Sequence, residues 1–453
     1  PYYNYYHWWP AEKGEPPLRL SYFDEEGNAW MYNKSTDSYY LHYFSRKQPD
    51  LNWENPEVRQ EIFDMMRFWF DKGIDGFRMD SISLIAKDPS FPLIDSKKYP
   101  DIFSFYAKEP RLHLYLHEMN RQVLSKYDCM SVGEGSAVMV DDVAKFVDPA
   151  REELNMLYHF DAARIRNTTL PDNPESGIDY SLIALKKMFT EWDKAVDKGW
   201  PSIYLGNHDQ PRMVSRFGSD KDEFRALSAK MLITFLLTMR GTPYWFAGDE
   251  IGMRNIRFDR IEDYNDIDTI NRYKKAKAEG KDPQAVLDEQ KETGRDNART
   301  PFQWDRSPET GFTAGTPWLK VNPDYTWINV ADEEKDPTSI LNYFKKVVSF
   351  RKENPSLIYG SYHLLDAENP QSYTFLRKTG ADTYLIMLNF SPKAAISTPG
   401  IDMSNAHVLL DNYGDRSHMA PQKDITLRPF EAIVFQLNHP VYESFIDSLD
   451  LLE

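Results

Sequence analysis

Residues 55–80 read NPEVRQEIFDMMRFWFDKGIDGFRMD and predict a helix that is followed at once by a buried strand. Asn55 can cap the free amides at the start of this helix, Pro56 suits its first turn, and Gly73 is a suitable stop. The apolar side chains that recur at helical spacing predict the buried face as Val58, Ile62, Met65, Met66 and Trp69. The segment 74–80 is too short for a second helix and is therefore predicted to be a strand.

The same succession of helix and strand recurs further along the chain. Additional strands are predicted at residues 129–133, 155–160, 202–205 and 243–246. Helices are predicted before three of them, through residues 112–123, 182–196 and 222–238. Such alternation predicts a parallel sheet with helices on its outside.

The number of strand–helix units is five, and a (β/α)8 barrel needs eight. Five units can also form an open sheet. The chain begins with Pro1 and not with methionine, so an α/β protein with a (β/α)8 TIM barrel fold whose first three strands precede residue 1 stays open beside the open sheet. A barrel opened in this way would expose two unpaired strand edges.

After the last of these units the character of the sequence changes. Residues 254–337 are strongly charged and irregular, with a helix predicted at 282–291, and another helix is predicted at 339–352. Four runs with alternating or apolar patterns follow, at 373–377, 384–390, 408–410 and 425–437. Because turn residues separate these runs, we expect a C-terminal antiparallel β-sandwich.

The composition excludes several classes of protein. The 453 residues carry 54 Lys plus Arg against 70 Asp plus Glu, and the net charge of −16 argues against binding to nucleic acid phosphates. No run approaches the roughly 18 apolar residues that a membrane-spanning helix requires. The single cysteine, Cys129, rules out an internal disulfide and leaves cytoplasm and periplasm open. A neutral or cationic partner suits this chain best.

Carboxylates follow three of the predicted strands. Arg78 and Asp80 end the first, Glu134 follows the second, and the segment 207–209, with sequence NHD, follows the fourth. An isolated arginine–aspartate pair is more often a structural ion pair. Since the carboxyl ends of parallel strands meet at one edge of a sheet, carboxylates at three such ends predict a functional site.

Glycoside cleavage is the chemistry that uses such carboxylates without a metal cluster, a Ser-His pair or a phosphate loop. One carboxylate attacks the anomeric carbon, and a protonated carboxyl group gives its proton to the leaving oxygen. An arginine beside the nucleophile favours its charged form, whereas the acid needs an apolar or negatively charged surrounding. Asp80 and Glu134 can divide these roles between them.

These residues resemble three signature regions of glycoside hydrolase family 13, the α-amylase family. The resemblance extends over most of the chain and is closest to the oligo-1,6-glucosidase subfamily. Its motifs are GFRMD (76–80), GE (133–134), NHD (207–209), QPDLN (48–52), RDNARTPFQW (295–304) and LRPFEAIV (427–434).

The resemblance implies a role for each matching residue. Asp80 would be the nucleophile, Glu134 the general acid and base, and Asp209 a carboxylate that binds sugar hydroxyls. Arg78 and His208 would support the nucleophile and the sugar. Arg295 would lie at the pocket, and Arg299 would either lie there too or only buttress it. A retaining mechanism predicts about 5 to 5.5 Å between the carboxyl groups of the nucleophile and the acid.

The resemblance also implies a domain organisation. Residues 1–54 would be the remainder of an inserted domain B, 55–355 the catalytic barrel, 356–440 the C-terminal β-sandwich and 441–453 a tail. The family's first signature, which carries Asp, Asn and His, and its Asp-rich calcium loop have no match in this chain. Neither a cofactor nor a metal ion is predicted.

Three functions remain open from the sequence. The first is a retaining α-glucosidase acting on α-1,6- or α-1,4-linked oligosaccharides. The second is a transglucosidase or sucrose isomerase that shares the covalent intermediate. The third is a non-catalytic carbohydrate-binding or assembly relative. Ser81, which follows the predicted nucleophile, does not indicate the bond preference. The expected partner is a small oligosaccharide, with no nucleic acid and no membrane, and the expected compartment is the cytoplasm, with the periplasm as the alternative.

Overall fold

The computed structural model describes residues 2–23, 27–95, 97–99, 102–380, 382–416 and 423–437. The chain forms two structural units. Unit 1 contains Pro1–Phe160, Lys194–Ser202 and Ile267–Val286, and unit 2 contains Asp161–Asp193, Ile203–Asp266 and Leu287–Glu453. The predicted tail, 441–453, lies outside the described residues, and the predicted domain boundaries stay predictions.

The strands of the described residues include all those that the sequence predicts. In chain order they are β1 (Trp8–Pro10), β2 (Trp30–Asn33), β3 (Ser38–Leu41), β4 (Gly76–Met79), β5 (Met130–Glu134), β6 (Met156–Tyr158), β7 (Ser202–Ile203), β8 (Thr242–Pro243), β9 (Ser361–Leu365), β10 (Ser372–Thr379), β11 (Asp382–Asn389), β12 (Ala395–Ser397), β13 (Ala406–Asp411), β14 (Ile425–Leu427) and β15 (Ala432–Leu437).

The α-helices of the described residues lie mostly between these strands. In chain order they are α1 (Pro56–Asp71), α2 (Ile102–Tyr106), α3 (Pro110–Gln122), α4 (Ala144–Val147), α5 (Asp161–Thr168), α6 (Leu182–Ala195), α7 (Met213–Phe217), α8 (Arg225–Thr238), α9 (Ile267–Ala278), α10 (Pro283–Thr293), α11 (Val330–Glu333), α12 (Ile340–Glu353) and α13 (Ser356–Tyr359). No helix in this part of the chain is long and apolar enough to cross a membrane.

Helix α1 begins where the sequence predicts but buries a different face. Oδ1 of Asn55 accepts a hydrogen bond from the amide of Glu57 at 2.9 Å, which caps the helix. Its buried side chains are Val58, Phe63, Met66 and Phe70. The expected Met65 and Trp69 are instead 45% and 46% exposed.

Aromatic packing explains this difference. The Phe70 ring stacks on Tyr127 with 4.5 Å between centroids and meets the edge of Phe77 at 5.0 Å. Phe70 therefore contacts strand β4 through a large ring, and the helix turns that side inward. Helical spacing alone could not rank Phe63 and Phe70 above Met65 and Trp69, because all of them are apolar.

Strands β4, β5 and β6 form the parallel sheet of unit 1. The register pairs Met79 with Gly133, and Glu134 with Tyr158, so the carboxyl ends of the three strands lie at the same edge. A Cβ atom at Gly133 would lie 2.7 Å from side-chain carbons of Ile82 and Leu154. Glycine is therefore required there for close packing beside the carboxyl edge.

Unit 2 contains an antiparallel sheet near its C-terminal end. Five strands pair in the order β13-β15-β11-β10-β9, and β12 pairs with β14. The predicted run 425–437 is two strands because a turn interrupts it, in which Pro429 has no amide hydrogen and Phe430 has φ of 50°. The inner side chains of the sheet, among them Leu376, Leu385 and Phe435, form an apolar core.

Candidate active site

Five polar side chains meet at the carboxyl edge of the β4-β5-β6 sheet, and we call Arg78, Asp80, Glu134, Ser136 and Tyr158 the Glu134 cluster. Arg78 donates from Nη1 to Oδ1 of Asp80 at 2.5 Å and from Nη2 to Oε2 of Glu134 at 2.6 Å. The same Nη2 donates to the Tyr158 hydroxyl. The hydroxyls of Tyr158 and Ser136 donate to Glu134, at 3.2 Å to Oε2 and at 3.0 Å to Oε1. One cation therefore binds both carboxylates.

The two carboxylates of this cluster differ in burial. The side chain of Asp80 is 76% exposed, whereas that of Glu134 is 9% exposed. Burial is the largest influence on the pKa of Glu134 and raises it; the charge of Arg78 lowers this pKa, the carboxylate of Asp80 raises it again, and the net shift is upward. Burial therefore favours the protonated form of Glu134, as a proton donor requires, and the exposed carboxylate of Asp80 is accessible to an incoming molecule.

A second group of side chains surrounds Asp209 in unit 2, and we call His208, Asp209, Asp266, Arg295 and Arg299 the Asp209 cluster. Oδ1 of Asp209 accepts hydrogen bonds from Nη1 of Arg295 at 3.2 Å and from Nη2 of Arg299 at 2.9 Å. Oδ2 lies 3.2 Å from Nε2 of His208. Arg295 also donates to both carboxylate oxygens of Asp266, from Nε at 3.2 Å to Oδ2 and from Nη2 to Oδ1. Arg295 is thus shared by two aspartates, and Asp209 binds two arginines.

Local backbone structure holds this cluster in place. The amide of Asp209 donates to Oδ1 of Asn207 at 2.8 Å, which fixes the turn after strand β7. In the segment that carries Asp266, Oδ2 of Asp296 accepts hydrogen bonds from the amides of Asn265 and Asp266, at 2.7 and 2.8 Å. Asp296 lies in a short 3-10 helix, Arg295–Asn297, so the same turn places Arg295 and anchors the Asp266 backbone.

A buried carboxylate lies behind the turn that carries Asp209. Oδ2 of Asp249 is 2.8 Å from the position that a Cβ atom on Gly206 would occupy. Its Oδ1 lies 3.8 Å from Nη1 of Arg212 and accepts no hydrogen bond from the described residues. Burial raises the pKa of Asp249 to about 7, with Arg212 acting in the opposite direction and Glu250 adding to the rise.

The structure brings the predicted site residues together in two sets. Arg78, Asp80 and Glu134 meet in unit 1, and the other four predicted residues, His208, Asp209, Arg295 and Arg299, meet in unit 2. Arg299 contacts Asp209 directly. The separation of 5 to 5.5 Å between carboxyl groups stays a prediction.

Three residues of the clusters were missed from the sequence. Tyr158 ends strand β6, so the argument that predicted Glu134, from side chains at the carboxyl ends of parallel strands, could have predicted it too. Ser136 lies two residues after Glu134 and is within reach of the same rule. Asp266 lies in the irregular stretch 254–337, where periodicity gives no indication of position.

No group of three or more His, Cys, Asp or Glu side chains in the described ranges is arranged to hold a metal ion.

Comparison with known proteins gives consistent results. The model of the α-amylase catalytic domain matches residues 1–360. The oligo-1,6-glucosidase of Parageobacillus thermoglucosidasius is 47% identical over 451 residues, which cover 97% of this chain and 79% of that protein. The oligo-1,6-glucosidase of Bacillus cereus is 43% identical, with coverage of 96% and 78%.

Solved structures show the same likeness. The isomaltulose synthase SmuA from Protaminobacter rubrum superimposes with a TM-score of 0.89 at 38% identity, covering 97% of this chain and 78% of that one. This likeness confirms the predicted fold class, which is a (β/α)8 TIM barrel fold with a C-terminal antiparallel β domain.

Proposed function

Because this chain belongs to the α-amylase family and is a glycoside hydrolase, we propose that it is a retaining α-glucosidase that removes terminal glucose from short oligosaccharides. The linkage would be α-1,6 or α-1,4, and the relatives named oligo-1,6-glucosidase favour the first. The observation that carries this proposal is the sharing of the Arg78 guanidinium by an exposed and a buried carboxylate.

In the first half-reaction, a carboxylate oxygen of Asp80 attacks the anomeric carbon of glucose and the glycosidic C–O bond breaks. Glu134 transfers its proton to the departing oxygen, so the leaving sugar is released as a neutral alcohol. The raised pKa of Glu134 supports this assignment, because a general acid must still carry its proton near neutral pH. The product on the enzyme is a β-linked glucosyl ester of Asp80.

In the second half-reaction, water attacks the same carbon from the face that the first sugar left. Glu134, now a carboxylate, accepts a proton from the water, and the bond between Asp80 and glucose breaks. Two inversions give net retention, and both carboxyl groups return to their starting forms. Arg78 balances the negative charge of the pair throughout the cycle.

The Asp209 cluster is assigned to sugar binding in this proposal. Arg295 and Arg299 hold Oδ1 of Asp209, so the lone pairs of Oδ2 beside His208 can accept hydrogen bonds from glucose hydroxyls. Such hydrogen bonds contribute to catalysis when they strengthen as positive charge develops on the sugar ring.

A second function is favoured by one specific observation, the likeness to an isomaltulose synthase with a TM-score of 0.89. A transglucosidase or sucrose isomerase would use the same glucosyl ester but transfer glucose to a sugar hydroxyl instead of water. The side chains of the two clusters serve either outcome.

The test is to incubate the protein separately with isomaltose, maltose, trehalose and sucrose and to follow the products by NMR. The proposal expects glucose that is released first as the α anomer. Isomaltulose or trehalulose formed from sucrose, in place of glucose and fructose, would instead establish the second function. An Asp80→Asn variant is the control, and if the wild type and this variant both hydrolyse an aryl α-glucoside no faster than it hydrolyses without protein, only the non-catalytic alternative is left.

The oligosaccharide substrate and the compartment complete the proposal. We assign a neutral, short oligosaccharide as partner, in agreement with the acidic chain. We assign the cytoplasm as the compartment, with the periplasm as the alternative, and cell fractionation followed by immunoblotting distinguishes the two.

A further inference from the structure

The indole of Trp318 is exposed and held in place beside the Asp209 cluster. Its side chain is 70% exposed, and its Nε1 donates to the carbonyl oxygen of Arg299 at 3.0 Å. The carbonyl oxygen of Trp318 accepts a hydrogen bond from Nδ2 of Asn265. Asn265 and Arg299 thus fix Trp318 from two sides. Asn265 adjoins Asp266 of the cluster, and Arg299 itself binds Asp209 at 2.9 Å.

Neither face of this indole is covered by an aromatic ring or a cation of the described residues. Other exposed tryptophans of unit 2 are different in this respect. Trp304 tilts against Phe302 with 4.6 Å between centroids, and the guanidinium groups of Arg225 and Arg254 each lie 5.0 Å from the Trp327 ring. Trp318 therefore combines a fixed orientation with an open face.

An exposed indole is energetically unfavourable in the free protein and can stabilise a complex in which a ligand covers it. Exposed apolar surface is unfavourable in water, so a partner that covers the indole forms a more stable complex. A pyranose ring presents a face of C–H groups to an aromatic ring and keeps its hydroxyls at the edge. The polar edge of the indole is already satisfied by Arg299, which leaves its apolar face for stacking.

We propose that Trp318 is a stacking platform for the sugar that follows the terminal glucose of the substrate. This inference rests on the proposed α-glucosidase function and adds a residue that binds the leaving-group sugar. Because Arg299 links Asp209 to Trp318, a glucose bound at Asp209 would direct the remainder of the oligosaccharide past the indole.

The test compares substrates with and without a second sugar. In a Trp318→Ala variant, kcat/KM for isomaltose and isomaltotriose is expected to fall about three- to tenfold, the range that aromatic stacking provides. Hydrolysis of α-glucosyl fluoride is expected to remain unchanged, because its leaving group is a fluoride ion. Trp69→Ala, which removes another exposed indole from helix α1, is the matched control and should leave all three rates unchanged.

A Trp318→Phe variant separates stacking from support of Arg299. Phenylalanine cannot donate a hydrogen bond to the Arg299 carbonyl, but it keeps an aromatic face. Because stacking needs only this face, near wild-type kcat/KM for isomaltotriose is expected. Equal losses in both Trp318 variants that extend to α-glucosyl fluoride would overturn the inference in favour of a structural role. Full activity of Trp318→Ala on isomaltotriose would overturn the inference about Trp318 and leave the proposed function intact. A wild type that is inactive on every substrate would overturn both.

Discussion

Nη2 of Arg78 lies 2.6 Å from Oε2 of Glu134, the buried carboxyl group whose pKa is raised. The positive charge of this arginine lowers that pKa, while burial and the carboxylate of Asp80 raise it. The proton affinity of Glu134 is therefore a balance between burial and two opposite charges. A change in one of these charges should shift the pH range in which the protein is active.

Replacement of Arg78 by methionine removes the influence that lowers the pKa of Glu134. Since the general acid must be protonated, the basic limb of the kcat/KM profile for isomaltose is expected to move to higher pH, with a lower maximum. Arg67→Met removes an arginine that pairs with Asp64 on the surface of helix α1, and it should leave the profile unchanged. A basic limb that stays in place or moves to lower pH would contradict this assignment of the acid.

Replacement of Asp266 by asparagine tests whether this buried residue positions Arg295. The Asp266 side chain is 2% exposed, and loss of its charge removes one of the two aspartates, Asp266 and Asp209, that Arg295 binds. We expect kcat/KM to fall at least about tenfold and the melting temperature to fall as well, because breaking a buried pair commonly costs about 3 to 5 kcal/mol. Asp263→Asn, which removes only the partner of Lys320, is the control. Unchanged kcat/KM in Asp266→Asn would show that Arg295 needs no such support.

The charged residues of the Glu134 cluster could be predicted because the information that places them is local. In a parallel sheet, the end of each strand fixes the edge at which its last side chain lies, so Asp80 and Glu134 follow from the positions of two short apolar runs. The cap at Asn55 and the start of helix α1 are equally local, and both are confirmed.

The position of Asp266 and the buried face of helix α1 could not be predicted, because they depend on contacts between distant segments. Asp266 reaches Arg295 only because Asp296 accepts two backbone amides from the irregular stretch around it. The buried face of helix α1 depends on where the rings of Tyr127 and Phe77 lie, and helical periodicity carries no such information. Periodicity identifies elements, whereas pairing between irregular segments requires the folded chain.

Substitution of Gly206 by alanine should disturb the turn that carries Asp209. The added methyl group would lie 2.8 Å from Oδ2 of Asp249, which is a buried and confined group. Overpacking of this kind costs about 1 to 3 kcal/mol, and because Gly206 precedes Asn207 and Asp209 we expect a lower kcat as well as a lower melting temperature. Gly315→Ala is the control, since only Oγ1 of Thr313 lies within 4 Å of its added atom. A Gly206→Ala variant with wild-type kcat would show that the turn tolerates displacement.

Asp249 predicts a defined pH dependence of stability. Burial raises its pKa from 3.8 to about 7, so the folded protein binds this proton more tightly than the unfolded chain does. The contribution of Asp249 to the free energy of unfolding is therefore full below about pH 4 and is lost as pH rises to about 7, by at most on the order of 4 kcal/mol. Measured by urea unfolding, the stability of the wild type minus that of Asp249→Asn should fall across this window. The same difference for Asp259→Asn, which removes a carboxylate that is 85% exposed, should stay nearly flat. A wild-type advantage that grows with pH would mean that Arg212, 3.8 Å away, outweighs burial and holds Asp249 charged.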